Sequence, residues 1–175
     1  MDMSEPFSHI CGSSNLIESQ GDEALRLCRP PRALLIGEDP FGELALRLAA
    51  RLKVRCVVIG FLEGPTMIQE YALALDGERR EPELYALLGT PCERVVDRSV
   101  CYYHDDVQES FPSDEMLVEM GIHSYFGMPI QGPTGMAMGV IAALDSEPIQ
   151  LEWDSLQLLA NIAAAALAVH SGLQG

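Results

Sequence analysis

The segment from Ser124 to Leu144 constrains the fold more than any other part of the chain. Two runs, Ser124 to Ile130 and Met136 to Leu144, flank Gln131-Gly-Pro-Thr-Gly135. A five-residue loop with two glycines between such runs predicts a hairpin. The second run is apolar at nearly every position, whereas a strand with one wet face alternates. Both of its faces must therefore be covered. Helices are the expected cover on one side. A cap of loops and short helices is expected on the other, which is where a small-molecule cavity would lie.

The remaining elements can be read outward from that hairpin. Asp39 caps and Pro40 opens a helix with Phe41, Leu44, Leu48 and Leu52 at helical spacing, ending near Lys53. Cys56-Val-Val-Ile-Gly-Phe-Leu62 is a β-branched apolar run and predicts a strand. Gly64-Pro65 turns it into a returning strand, Met67 to Leu75, closed by Asp76-Gly77. A polar stretch, Glu78 to Pro82, follows. Ser99 to Tyr103 predicts a third strand, and Asp105 to Pro112 a loop. Ser113 is placed to cap a short helix, Asp114 to Met120, that stops at Gly121. The last element is a long helix over about Leu151 to Ser171. It carries two apolar stripes, Leu156, Leu159, Ala163 and Leu167, then Leu158, Ile162, Ala165 and Val169. One stripe suffices to pack on a sheet, so the second is expected to pair two copies of the chain. The fold class is α+β with an antiparallel sheet of five or six strands and the first and last helices on one face. Residues 1–31, with frequent Ser, Gly, Asn and Gln and the break at Pro30-Pro31, are expected to form a partly flexible extension to a domain over residues 32–172.

Leu88-Gly-Thr-Pro-Cys-Glu-Arg-Val-Val96 is a helix start. Thr90 is positioned to cap, Pro91 suits the first helical position, and Glu93 can reach back to the cap N–H as a capping box. Cys92 then lies in the first turn, where the positive end of the helix favours a thiolate. Against this, free Cys is among the most buried residue types and behaves as a small hydrophobe.

The formal charge of −15, with Lys53 the only lysine, repels phosphate backbones and anionic lipid, so neither nucleic acid nor membrane is an expected partner. The apolar run Leu156 to Val169 is interrupted and short of the ~18 residues of a membrane span. The N-terminus lacks a basic region ahead of an apolar run, which argues for a cytoplasmic protein with reduced cysteines. The five cysteines show no metal-ligand spacing, and there is neither a Gly-rich phosphate loop nor a Gly-x-Ser-x-Gly motif.

The Leu88 to Val96 stretch, together with Val107-Gln-Glu-Ser-Phe-Pro112 and Ser124-Tyr-Phe-Gly-Met-Pro-Ile130, resembles the bacterial sensory subgroup of GAF domains over roughly residues 32–171. The resemblance implies a non-catalytic sensory or regulatory role, binding a small molecule or sensing redox state, frequent dimerisation, and a ligand pocket between the sheet and the cap built by residues 78–121. With the given chain ending at Gly175, right after the final helix, it implies output through a partner in trans or a continuation of the chain. The expected ligand-binding residues are Cys92, Tyr102, Tyr125, His104 and Phe111. Tyr102, Tyr103, Tyr125 and Phe126 alternate, so one of each pair should face the cavity and the other the opposite side. No cofactor can be named.

Bilin-binding members attach pigment at a Cys usually followed by His, whereas Cys101 is followed by Tyr102. Cyclic-nucleotide members carry an Asn/Lys/Phe/Asp/Glu signature that cannot be placed here. Iron would need His104 or His123 aimed inward. The enzymatic branch, free methionine sulfoxide reductase, uses cap cysteines; Cys92 and Cys101 lie in the right region without a matching spacing. A structural dimerisation module without ligand is the alternative to a sensor.

Overall fold

A computed structural model describes residues 9–11, 39–98 and 100–173. The expected flexible extension over residues 1–31 and the domain boundary at 32 fall almost wholly outside them.

The element order is β1 (His9–Cys11), α1 (Pro40–Leu52), β2 (Cys56–Glu63), β3 (Met67–Leu75), β4 (Glu78–Arg80), β5 (Leu84–Ala86), α2 (Pro91–Arg98), β6 (Cys101–Tyr103), α3 (Val107–Ser110), α4 (Glu115–Glu119), β7 (Ser124–Gln131), β8 (Ala137–Asp145) and α5 (Trp153–Leu173). One antiparallel sheet runs β1-β6-β7-β8-β2-β3-β4, and β5 also pairs with β3. All five strands expected from the sequence are in it. The three-residue strands β1, β4 and β5 extend it at its edges. In β4 and β5 the side chains are exposed or half-buried, with no apolar alternation. That is why the polar stretch from Glu78 did not read as strand.

The hairpin that anchored the sequence reading forms, with Tyr125 opposite Leu144 and Gly127 opposite Ala142. Strand β8 is buried over Gly139–Asp145 and pairs on its far side with β2. Alternate residues feed two separate cores. Val57, Ile59, Phe126, Ile141 and Ala143 meet the helices. Cys56, Val58, Tyr125, Val140 and Leu144 meet the cap. Helices α1 and α5 lie together on one face, joining that first core through Leu44, Leu48, Leu159 and Ala166.

Helix α1 begins as predicted: the Asp39 side chain accepts from the Gly42 N–H at 2.9 Å and Pro40 opens the first turn. It ends at Lys53 in the left-handed region. Asp76 and Gly77, both at positive φ, turn β3 into β4, a conformation that Asp tolerates and Gly adopts freely.

Helix α5 departs from expectation. Ile162, Ala165 and Val169 are buried inside the single chain, with Leu158 packed beside them. Leu159 and Ala163 of the other stripe are buried too. The stripe read as spare is therefore core, because α5 sits in the angle between sheet and α1 and buries more than one side. Near its end His170 stacks on Phe61, with ring centroids 3.8 Å apart and planes 8° from parallel, and meets Tyr71 edge-on. Burial holds the His170 pKa below its ordinary value. By length and composition Asp154–Leu173 is apolar enough to cross a membrane, with mean hydropathy 1.5, which the sequence reading had judged too short a run. About a third of that stretch is buried inside the domain, including Leu159, Ile162, Ala165, Ala166 and Val169.

The cap is tied to the sheet by polar contacts. The Gln108 amide donates to the Leu117 carbonyl at 3.1 Å and the Ile122 carbonyl at 2.7 Å, fastening α4. Arg55, at the start of β2, donates to Asp76 through two nitrogens and to the Met120 carbonyl at 3.1 Å. Asp114, rather than Ser113, precedes α4, and Ser113 donates instead to the Gly89 carbonyl at 3.4 Å. Gly121, with φ +63°, ends this segment as predicted.

Because Ile162 is core, Ile162→Glu is expected to unfold the domain and not merely to separate copies. Loss of a buried Ile side chain costs about 2–5 kcal/mol, and an unpaired buried carboxylate adds to that. Total stability is only about 5–15 kcal/mol. Circular dichroism melting checks this; a folded, stable monomeric variant would refute it.

Candidate functional site

The cap face gathers three of the five expected site residues. Cys92, in the first turn of α2, is buried. Its sulfur lies 3.3 Å from the Tyr125 hydroxyl and accepts from the Tyr85 hydroxyl at 3.4 Å. Tyr125 is fully buried on β7, so its hydroxyl needs an internal partner, which Cys92 supplies. Phe111, also buried, packs edge-on against Tyr103 at 5.2 Å, and Tyr103 in turn meets Tyr125 at 6.3 Å. Gly127 makes this arrangement possible, since a Cβ there would collide with the Tyr125 hydroxyl and with Val95 of α2.

Tyr102 and His104 do not join them. The alternation along β6 and β7 holds, but β6 pairs with β7 so that Tyr102 faces Phe126 and Tyr103 faces Tyr125. Tyr102 therefore lies in the helix-side core, where its hydroxyl donates to the Ile149 carbonyl at 2.8 Å. His104 meets Tyr102 edge-on at 6.1 Å and is half-exposed beside Asp105, its Nδ1 3.8 Å from the carboxylate. The residue that replaces Tyr102 on the cap side is Tyr103. Which of the two faces the cap depends on strand register, which a three-residue strand does not reveal.

Two cap-side residues carried no sequence signal as site residues. Tyr85 sits on β5, itself unpredicted. Glu70, on β3 beside a bulge between Ile59 and Gly60, is buried. Its carboxylate accepts from the Glu83 N–H at 2.9 Å.

The local geometry decides the state of the thiol. Thr90 does not cap with its hydroxyl; it donates to the Leu87 carbonyl at 2.7 Å, and Glu93 reaches back to the Gly89 N–H at 3.0 Å. The predicted reciprocal box is thus shifted by one residue on the Glu93 side. Burial pushes the Cys92 thiol up, outweighing the two tyrosine hydroxyls that favour its charged form, while Asp114 and Glu70 disfavour it further. Of the two readings of Cys92, the buried small hydrophobe and not the helix-terminus thiolate fits this setting. Cys56 on the same face is pushed up to about 12, again chiefly by burial. Burial likewise raises the pKa of Glu70 and of half-buried Asp114. The cap-side cluster is thus a largely apolar interior in which the Tyr85 and Tyr125 hydroxyls meet the Cys92 thiol.

Away from this cluster, a concavity of about 300 Å³ opens between α1 and β4, lined by Asp39, Tyr71, Arg79 and Arg80 among others. Arg79 there is already paired with Asp39 and Glu43, so its charge is spent within the chain. Among the described residues no cluster of three His, Cys, Asp or Glu is arranged to hold a metal.

Comparison with known proteins bears on this architecture. A family model described as GAF domain matches residues 38–168. The chain belongs to the GAF domain family. No curated protein matches the GAF chain in sequence. Solved structures share its fold at low identity. One is the R. palustris bacteriophytochrome RpBphP3, with TM-score 0.61 and 14% identity over 91% of this chain. The chain spans only 39% of that protein's length. Another is the phycocyanobilin-bound GAF domain of a cyanobacterial phytochrome, with TM-score 0.60 and 18% identity, covering 88% of this chain and 96% of that one. A third is the GAF domain of an Acinetobacter phosphoenolpyruvate-protein phosphotransferase, with TM-score 0.58 and 15% identity over 92% and 96% of the two chains.

Two outcomes test the site's electrostatics. Iodoacetamide labelling read by peptide mass spectrometry should modify Cys92 as slowly as Cys56 at neutral pH; faster labelling of Cys92 would refute the neutral thiol. For Glu70, folding raises the pKa, so the folded state binds more proton than the unfolded one between the two pKa values. Stability therefore falls as pH rises from the ordinary carboxylate range through the folded pKa. Glu70→Gln keeps an oxygen for the Glu83 N–H and should flatten the melting temperature across that window, exceeding wild type at neutral pH. An unchanged pH slope would exclude Glu70 as its source.

Proposed function

We propose that this GAF domain is a non-catalytic sensory or regulatory module that binds a small molecule between cap and sheet. Its terminal helices would pass the resulting change to an output domain or partner. The observation that carries this reading is the convergence of the Tyr85 hydroxyl, the Tyr125 hydroxyl and the Cys92 sulfur inside an otherwise apolar cluster. A mostly apolar lining with a few placed polar groups is the usual design of a small-molecule site. The route outward runs through the sheet, because each central strand feeds side chains to both the cap and the terminal helices.

The pigment carried by one structural neighbour does not transfer readily. Cys101, the thiol weighed for pigment attachment, is fully buried on β6 and is followed by Tyr102, which points away from the cap. A noncovalent ligand suits the site better.

Native mass spectrometry of freshly purified protein, followed by thermal shift against a metabolite library, tests the reading. A bound mass, or a stabilising compound, is expected for wild type. Tyr125→Phe removes the hydroxyl without opening a cavity and should weaken binding about tenfold, in line with about 1.5 kcal/mol for one hydrogen bond. If neither measurement finds a ligand, the domain is a structural module and the sensory reading falls.

A further inference from the structure

Beyond ligand sensing, one edge of the sheet sets two cysteines opposite each other. Strand β1 pairs antiparallel with β6 in the register His9 to Tyr103, Ile10 to Tyr102 and Cys11 to Cys101. Residues directly opposite on antiparallel strands have Cα atoms about 4.5 or 5.5 Å apart, depending on whether the pair exchanges hydrogen bonds. Both values fall inside the roughly 4.4–6.8 Å that a disulfide spans. Such partners also share one face of the sheet.

The other described cysteines are worse placed to pair with Cys101. On its far side Cys101 stands opposite Gly127. Cys56 lies on β2, three strand spacings from β6 in the order β6-β7-β8-β2. Those spacings put it ~14 Å away, about twice the Cα separation a disulfide tolerates. Cys92 is on α2, its sulfur held between the Tyr85 and Tyr125 hydroxyls. Cys101 is fully buried, which shields it from direct attack by an oxidant in solution. Cys11 is on the strand that ends the described sheet on that side, and that strand is three residues long. An edge held by so few hydrogen bonds opens at little cost.

We propose that Cys11 and Cys101 are a redox-switched pair that hydrogen peroxide closes into a cross-strand disulfide. The Cys11 thiolate attacks a peroxide oxygen, giving a sulfenic acid, and the hydroxide released takes up a proton and leaves as water. The Cys101 sulfur then attacks the sulfenic sulfur. The S–S bond forms as the S–O bond breaks, and the hydroxide leaves with the Cys101 proton as a second water. Two thiols and one peroxide become one disulfide and two waters. A dithiol reductant reverses the change by thiol–disulfide exchange. In a compartment that keeps thiols reduced, the bond forms only when oxidant is present. Cys101 belongs to the cap-side core with Tyr125 and Cys92, so the bond ties the segment before α1 to that core. Closing the long loop from β1 to β6 also restricts the unfolded chain and stabilises the fold. The switch needs no ligand between cap and sheet.

Trypsin leaves each cysteine in its own peptide: Cys11 in 1–26, Cys28 in 27–32, Cys56 in 56–79, Cys92 in 81–94 and Cys101 in 99–175. The reduced full chain is treated with hydrogen peroxide, alkylated, and digested without reductant for mass spectrometry. Peptide 1–26 joined to 99–175, two hydrogens lighter than their sum, is expected as the main linked product, and dithiothreitol should release it. In urea, loop closure favours the nearest cysteine in sequence, so Cys11 should link chiefly to Cys28 instead. Oxidised wild type should melt at a higher temperature than reduced wild type. Cys11→Ser should abolish both the link and this rise, whereas Cys28→Ser should keep both; melting of the reduced variants verifies folding. The proposal is overturned if the folded chain links Cys11 or Cys101 chiefly to another cysteine, or if the link joins two copies of the chain. It is also overturned if no link forms, or if Cys11→Ser retains the rise.

Discussion

The structure depends on burying a central strand on both sides. Residues 139–145 of β8 are buried without a break, hydrogen-bonded to β7 on one side and β2 on the other. A strand of this kind cannot sit in a two-layer domain with a wet face. It needs helices over one surface and other chain over the second. The helix layer is supplied by α1 and α5, and the second layer by the segment from β5 to α4. Removing either would expose a core, so the cap is part of the fold before it is part of any site.

That dual role explains why the site is built from core-like residues. Tyr125, Cys92 and Phe111 hold the cap on the sheet by apolar contact, and the same side chains carry its few polar atoms. Polar fasteners, Arg55 to the Met120 carbonyl and Gln108 to the Leu117 carbonyl of α4, hold the cap backbone beside that apolar contact. A ligand entering between the layers would change how cap and sheet meet. The sheet's other side would feel that change, because Phe61 and Tyr71 stack around His170 in the last turns of α5.

Much of the fold was legible in the sequence. Asp39-Pro40 marked a helix start, the Gln131–Gly135 loop a hairpin, and Gly121 the end of a cap segment, because each depends on local backbone chemistry. Strands β4 and β5 were not legible, since three residues with exposed or half-buried side chains carry no period. The site was half legible. Cys92, Tyr125 and Phe111 were placed together, Tyr102 and His104 were assigned to the wrong face, and Tyr85 was missed with its strand.

By itself, then, the sequence determined the layered antiparallel class, most element boundaries and the apolar character of both cores, because these follow from turn chemistry and hydrophobic period. Tertiary structure alone decided which of Tyr102 and Tyr103 faces the cap, since that rests on the pairing of β6 with β7. It also decided that Ile162, Ala165 and Val169 of the second stripe of α5 are core, because burial depends on how many neighbours surround a helix. And it decided that Cys92 keeps its proton, because burial outweighed a helix terminus that the sequence could locate but whose solvent exposure it could not.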